Sequence, residues 1–151
     1  MKNIWSALFN RAIIDKRTGS LSLIDSIEEI TVNFSNPEEL SRDKKNIPIR
    51  FTIIGLWSDE NISKKREFEY LVEILDPNGV KISEFKNNPV FEEGKKRLRT
   101  IVDVNGMGLT SEGDYQVVVK YKNNSENDYQ VVSQIPLSVK FILNTPINNK
   151  K

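Results

Sequence analysis

Three glutamates on one predicted strand have the residue type and spacing that acid–base chemistry requires. In the segment REFEYLVEIL, Glu67, Glu69 and Glu73 alternate with apolar residues and therefore fall on one face. A pair of carboxylates hydrolyses a glycosidic bond when the two groups flank that bond at the right separation. The same alternation is also the ordinary solvent-facing side of a half-buried strand, and this second interpretation is favoured.

The composition narrows the chemistry further. The 151-residue chain contains neither histidine nor cysteine. It therefore lacks the commonest general base and the commonest metal ligand, as well as thiolate nucleophiles, disulfides and cysteine-based zinc sites. No phosphate-binding loop, dinucleotide fingerprint, nucleophile elbow or zinc-protease motif occurs in the sequence. We therefore expect a protein that is not an enzyme and that uses no cofactor or metal.

Two basic clusters contain residues that bind phosphate and other anions. The clusters are Lys64, Lys65 and Arg66, and Lys95, Lys96, Arg97 and Arg99. Each precedes a predicted strand and lies near acidic residues, so solvated strand ends are favoured over an anion site. The whole chain has 22 basic and 21 acidic residues, and this balance argues against nucleic-acid binding.

Two oxygen-rich loops and one tryptophan are the other candidates for binding. The loops SDEN (58–61) and NNSEND (123–128) resemble the calcium loops of C2-like sandwiches, but turns also favour these residue types. Neither loop has the spaced aspartates of a strong calcium site. Trp57 ends a predicted strand, where it would stack on a sugar or a partner, or cap a sandwich core.

The stretch GLTSEGDYQVVVKYK (108–122) predicts a structural role for its first tyrosine. In immunoglobulin-like sandwiches a tyrosine lies two residues before a core position, and its hydroxyl bonds back to the upstream backbone. We therefore expect Tyr115 and Val117 to be buried, and Leu109 to close the bottom of the core. A catalytic Tyr115 is the disfavoured alternative.

The elements that would position these residues are strands. REFEYLVEIL (66–75) places Phe68, Tyr70, Val72 and Ile74 on one face, and the turn DPNG (76–79) joins it to VKISEF (80–85) as a hairpin. IPIRFTIIGLW (47–57) is apolar on both faces and is predicted to be central. Further strands are predicted over 96–104, 114–122 and 129–143, and over 21–25 and 27–34 as one bent strand or two short ones.

Other segments leave alternatives. Residues 3–15 fit a helical stripe or a two-sided strand, and we predict a strand over 8–15. Pro136 donates no backbone hydrogen bond, so its strand breaks there, changes sheet or lies on an edge. The connection 36–46 suits a short helical turn with Pro37 in its first turn.

The whole pattern predicts an all-β fold: one antiparallel β-sandwich, immunoglobulin-like or C2-like, of about eight strands. We expect the sandwich to span 1–143 and a flexible tail to follow over 144–151. Asn10 and Arg11 interrupt the first apolar run, so no signal peptide is predicted, and no segment has the length of a membrane span. We expect a cytoplasmic protein with no membrane partner.

Three turns together resemble an uncharacterised bacterial and phage family of small β-sandwich domains. RAIIDKRTGSLSLIDSIEEITV (11–32) resembles the opening of that family, with its turn at Asp15 to Gly19. The family's later hairpin corresponds to Asp76 to Gly79, and its terminal strand to Gly113 to Tyr115. Members often have a cysteine in the first strand, which this chain lacks. The resemblance implies a sandwich of bacterial or phage origin and no particular activity.

Two functions of different classes follow as expectations. The first is a non-enzymatic interaction module that recognises another protein, or a second copy of itself, through loops or a sheet edge. The alternative is a sandwich that binds a carbohydrate or calcium through Trp57 and the loops 58–65 and 123–128. A hydrolase that works through carboxylates is a distant third.

Overall fold

The alternating segments form strands throughout the computed structural model, which describes residues 1–43, 45–61 and 63–144. The elements of these residues are β1 (Lys2–Ile14), β2 (Leu21–Ser26), β3 (Glu29–Phe34), α1 (Pro37–Leu40), β4 (Lys45–Ser58), β5 (Arg66–Leu75), β6 (Lys81–Asn87), β7 (Val90–Phe91), β8 (Arg97–Leu109), β9 (Gly113–Asn123) and β10 (Gln130–Leu143). The described strands form two sheets, in the orders β2-β1-β4-β8 and β3-β10-β9-β5-β6, with β7 paired to β5. The all-β sandwich expected from the sequence is confirmed.

The strand order is that of immunoglobulin-like sandwiches. In the smaller sheet, β1-β4-β8 have the order of strands A-B-E of that fold. In the larger sheet, β5-β9-β10 have the order of strands C-F-G. One pair departs from the expected antiparallel arrangement, because β3 runs parallel to β10 from Glu29 opposite Ser138 to Phe34 opposite Leu143. The described part of the chain has ten strands, more than the eight expected, since β2, β3 and the two-residue β7 are separate strands.

The segments that the sequence left open are now assigned. Residues 3–14 lie in a strand, which begins at Lys2 and ends at Ile14, and Asp15 begins the turn that follows. The segment 21–34 is two strands in different sheets, and Ile27 between them donates its backbone N–H to the Leu8 carbonyl over 2.9 Å. The predicted helical turn is α1, where Pro37 follows the capping residue Asn36.

β10 is continuous through Pro136. This residue lies opposite Gln116 of β9, and the pairing of β10 with β3 begins only at Ser138. Among the described strands Pro136 therefore has a neighbour on one side only, which is the edge position expected for a residue without an N–H. Of the predicted tail 144–151, Asn144 donates its N–H to the Phe34 carbonyl, and 145–151 lie outside the described residues.

The core lies between the two sheets and is formed by alternate residues of both. Its largest fully buried side chains are Trp57, Tyr70, Tyr115, Phe51 and Phe68. The apolar face predicted for β5 is confirmed, since Phe68, Tyr70, Val72 and Ile74 are all buried. β4 lies between β1 and β8, as expected for a strand that is apolar on both faces.

The DPNG hairpin is confirmed and is tied to the rest of the sandwich. The Asp76 carboxylate accepts the backbone N–H groups of Asn78 and Val80, each over 2.9 Å, and Gly79 has a φ of +79°. The second carboxylate oxygen accepts the Thr110 hydroxyl over 3.1 Å. The turn therefore holds the β5–β6 hairpin against the connection that precedes β9.

Candidate functional site

Tyr115 belongs to the scaffold, as the sequence predicts. Its side chain is 0% exposed, and its hydroxyl donates to the Ser111 carbonyl over 2.7 Å. The same oxygen accepts the backbone N–H groups of Thr110 and Ser111 over 3.1 and 3.3 Å. Val117 and Leu109 are fully buried beside it. All of these hydrogen bonds join the Tyr115 hydroxyl to the backbone of the turn that precedes β9.

The glutamate face of β5 is an ion-pair network on the outer surface of the larger sheet. Glu69 contacts Lys86 over 2.7 Å and Lys122 over 3.2 Å, and it accepts the Tyr129 hydroxyl over 2.6 Å. Glu73 contacts Lys120 over 2.5 Å. We call this set the charged face.

The chemistry of the charged face differs from that of a catalytic carboxylate pair. Hydrogen bonds from Lys86, Tyr129 and Lys122 lower the pKa of Glu69 from 4.5 to about 2, and Lys120 lowers the pKa of Glu73. Both groups are therefore ionised at neutral pH. A general acid needs a raised pKa so that it keeps a proton to donate, and neither glutamate provides that.

The lowered pKa of Glu69 predicts a specific acid response. A carboxyl whose pKa is lower in the folded state contributes stability above its unfolded value, near 4.5, and loses it as the pH falls towards about 2. Between pH 5 and pH 2.5, we expect the urea midpoint of Glu69→Gln to decrease less than the urea midpoint of the wild type. Glu67→Gln is the matched control, because Glu67 lies on the same face and forms no ion pair with a described residue. Equal acid responses in the two variants would contradict this assignment.

In both predicted binding loops, an acidic side chain bonds to protein groups close to it. In the loop after β4, Asp59 is buried, contacts the Arg66 guanidinium over 2.5 Å and lies 3.8 Å from the amino group of Met1. In the 123–128 loop, Glu126 accepts the backbone N–H of Asn123 over 3.0 Å. These two carboxylates therefore stabilise the loops themselves through contacts within the protein.

Trp57 lies inside the core and not on a surface. It is 0% exposed, and its Nε1 donates to the Thr100 hydroxyl over 3.0 Å. Of its two expected roles, the core cap is the one that its position fits, and a stacking platform for a sugar is not.

The two basic clusters differ in how their charges are used. At the start of β5, Arg66 is paired with Asp59, and Lys65 lies 3.7 Å from Glu92. Lys64 and Lys65 are the solvated strand end that we expected, whereas Arg66 is half-buried against Asp59. Arg97 and Arg99 are different because they lie on the outer face of β8, and no described carboxylate forms an ion pair with either of them.

The outer face near these arginines is covered by the first hairpin. β1 pairs with β4 from Lys2 to Phe9, and beyond Phe9 its described pairing is with β2 alone. We call residues 10–26 the arm. The arm folds over the smaller sheet, since the Arg99 guanidinium donates to the Gly19 carbonyl over 3.0 Å. Ile54 of β4 is not part of the main core cluster, yet it is 0% exposed.

The tip of the arm is held in one conformation by its own hydrogen bonds. The Asp15 carboxylate accepts the backbone N–H groups of Arg17 and Thr18 over 2.8 and 2.9 Å, which lowers its pKa. Gly19 has a φ of +68°, a backbone conformation that glycine adopts without strain. The tip thus presents Lys16 and Arg17 to solvent while its backbone meets Arg99.

A cleft of about 560 Å³ lies between the arm and the smaller sheet. Its lining residues are Ile14, Leu56, Arg97, Leu98, Arg99 and Ile101. Four of these lining residues are apolar, and the other two are the arginines that provide the charge. We call it the arm cleft. The arrangement can bind an apolar group and an anion side by side.

Exposed large apolar side chains are concentrated on β1 and β2, and one of them, Ile14, lines the arm cleft. Eight large apolar side chains are exposed among the described residues, and five of them belong to β1 or β2. These five are Ile4, Trp5, Ile13, Ile14 and Ile24. Exposed apolar side chains grouped on neighbouring strands are a feature of surfaces that bind other molecules.

Comparisons with known proteins assign the chain to no family. No protein-family model matches the chain, and no curated protein matches it. Among solved structures, one similar chain is a β-glucuronidase from glycoside hydrolase family 2, with 14% sequence identity and a TM-score of 0.44. That match covers 60% of this chain and 10% of the β-glucuronidase chain.

The described part of the chain contains no helix that is long and apolar enough to cross a membrane.

Proposed function

We propose that this chain is a non-enzymatic interaction module that recognises another protein through the surface of β1 and β2. The observation that carries the proposal is the concentration of five exposed large apolar side chains on these two strands. We place the module in the cytoplasm of a bacterium or its phage, because of its cysteine-free composition and the turns that it shares with the bacterial and phage family.

Three observations support a binding role without catalysis. Glu69 and Glu73 are neutralised by lysines, and Tyr115 is bonded to its own turn. The chain has no histidine or cysteine to replace them. A protein partner is favoured over a carbohydrate because Trp57 is buried in the core, while the exposed apolar side chains are aliphatic except for Trp5.

The test compares two double variants of equal chemistry. Ile13→Ser with Ile14→Ser removes apolar surface from the arm, where the two side chains are 41% and 50% exposed. Val80→Ser with Val131→Ser is the matched control, at positions 59% and 52% exposed but outside β1 and β2. Each variant and the wild type are immobilised and exposed to a lysate of cells that express the chain.

We expect the wild type and the control to capture the same protein, and the arm variant to capture at least tenfold less of it. Thermal melts of all three proteins establish that each is folded. Equal capture by the arm variant would contradict the proposal. A wild type that captures nothing and does not self-associate would also contradict it.

A further inference from the structure

The structure separates the balanced charges of the chain into two unlike surfaces. On the charged face, each glutamate of the network has at least one lysine partner. At the arm cleft, Arg97 and Arg99 have no described carboxylate partner, and Lys16 and Arg17 are exposed on the nearby arm tip. The charged side chains around the cleft are therefore mostly basic, with Asp15 at the arm tip and Asp103 further along β8 as the acidic ones, although the whole chain has a net charge of +1.

The spacing of the cleft residues matches an extended chain. Arg97, Arg99 and Ile101 are two residues apart on β8, so their side chains lie in one row on the outer face. A strand placed beside β8 would carry a complementary row with the same period. Opposite charges that face each other across two strands stabilise the pair, and guanidinium groups bind carboxylates in a bidentate manner.

β8 also has one edge that is not paired with a described strand. β4 pairs with β8 from Leu109 to Arg97, and no other described strand pairs with β8 in a ladder. Its other edge therefore has backbone groups that no described ladder uses, although β6 and β7 approach β8 without pairing with it. Peptides that add to an exposed sheet edge gain affinity from the main chain and specificity from alternate side chains.

Resting on the proposed function, we propose that the arm cleft binds an extended acidic segment of the partner protein, which lies along β8. The segment has two carboxylates at alternate positions, opposite Arg97 and Arg99, and an apolar side chain at the next alternate position. That apolar side chain packs on Ile101, which lines the cleft. A nucleic acid fits less well, because the floor is aliphatic and carries only two guanidinium groups.

The probe is a labelled ten-residue peptide in which two glutamates and then a leucine occupy alternate positions, with threonines between them. Its control has glutamines in place of the glutamates. Fluorescence anisotropy with the full chain measures both, together with a labelled single-stranded oligonucleotide. We expect the glutamate peptide to bind at least tenfold more tightly than the glutamine peptide and the oligonucleotide.

Variants of the chain locate the site. Arg97→Gln alone, and Arg97→Gln with Arg99→Gln, are expected to weaken binding of the glutamate peptide by at least tenfold. Arg97→Gln keeps the Arg99 contact to Gly19, so it remains informative if the double variant does not fold. Lys64→Gln with Lys95→Gln is the control, since both lysines are exposed, lie outside the cleft lining and remove the same charge.

Three results would overturn the inference: no binding of the glutamate peptide, equal binding of the glutamine peptide, or tighter binding of the oligonucleotide. The proposed function fails separately. If the arm variant loses the captured protein but the arginine variants keep it, the interaction module stands and the acidic segment does not.

Discussion

Replacing Tyr115 with alanine is expected to lower the free energy of unfolding by about 3–5 kcal/mol, as other truncations of large buried aromatic residues do. The ring is fully buried between the sheets, and its hydroxyl holds the turn at Ser111. Such a loss is a large fraction of the stability of an ordinary domain. Urea unfolding followed by tryptophan fluorescence measures it.

Tyr115→Phe separates the hydroxyl from the ring. The ring stays in place, while the Ser111 carbonyl and the two N–H groups of Thr110 and Ser111 lose their partner. We expect a loss of about 1–3 kcal/mol, the usual effect of leaving buried polar groups unsatisfied. A phenylalanine variant that melts like wild type but no longer captures the partner protein would place Tyr115 in a functional site.

Replacing Trp57 with alanine is expected to cost about 3–5 kcal/mol, since it opens a cavity in the centre of the core. The indole packs against the rings of Phe68, Tyr70 and Tyr121, with centroids 5.1, 5.9 and 5.5 Å away. Its Nε1 donor also satisfies the Thr100 hydroxyl in the interior. Differential scanning calorimetry of the variant and the wild type gives the change.

The other tryptophan of the chain is the matched control. Trp5 is 37% exposed on β1, so Trp5→Ala removes the same side chain without opening an interior cavity. We expect Trp5→Ala to cost much less stability than Trp57→Ala. If the two variants were equally destabilised, the placement of Trp57 in the core and of Trp5 on the surface would be wrong.

The parts of the fold that follow from local chemistry were predictable. The DPNG turn fixes the β5–β6 hairpin through Asp76 and Gly79, and strict alternation fixes which face of β5 is buried. The Tyr115 turn is likewise contained within six residues, 110–115. In each case the residues that decide the structure are neighbours in sequence, so their pattern carries the answer.

The parts that depend on distant residues were not predictable. The parallel pairing of β3 with β10 joins segments more than 100 residues apart, and Arg99 meets the arm at Gly19 across 80 residues. In the sequence, only the apolar residues on both faces of β1, among them Ile13 and Ile14, indicated that the end of this strand folds over the smaller sheet. The sequence shows that Arg97 and Arg99 are two residues apart on one strand. It does not show whether a carboxylate from a distant segment pairs with either of them.

Hydrogen–deuterium exchange tests the central claim, recognition through the arm and its cleft, most directly. Exchange is measured on the full chain alone and in complex with the protein that it captures. We predict slower exchange in the complex over 11–24 and 97–101, with the charged face unchanged. Slower exchange over 66–75 and 120–122, with the arm and the start of β8 unchanged, would contradict the claim.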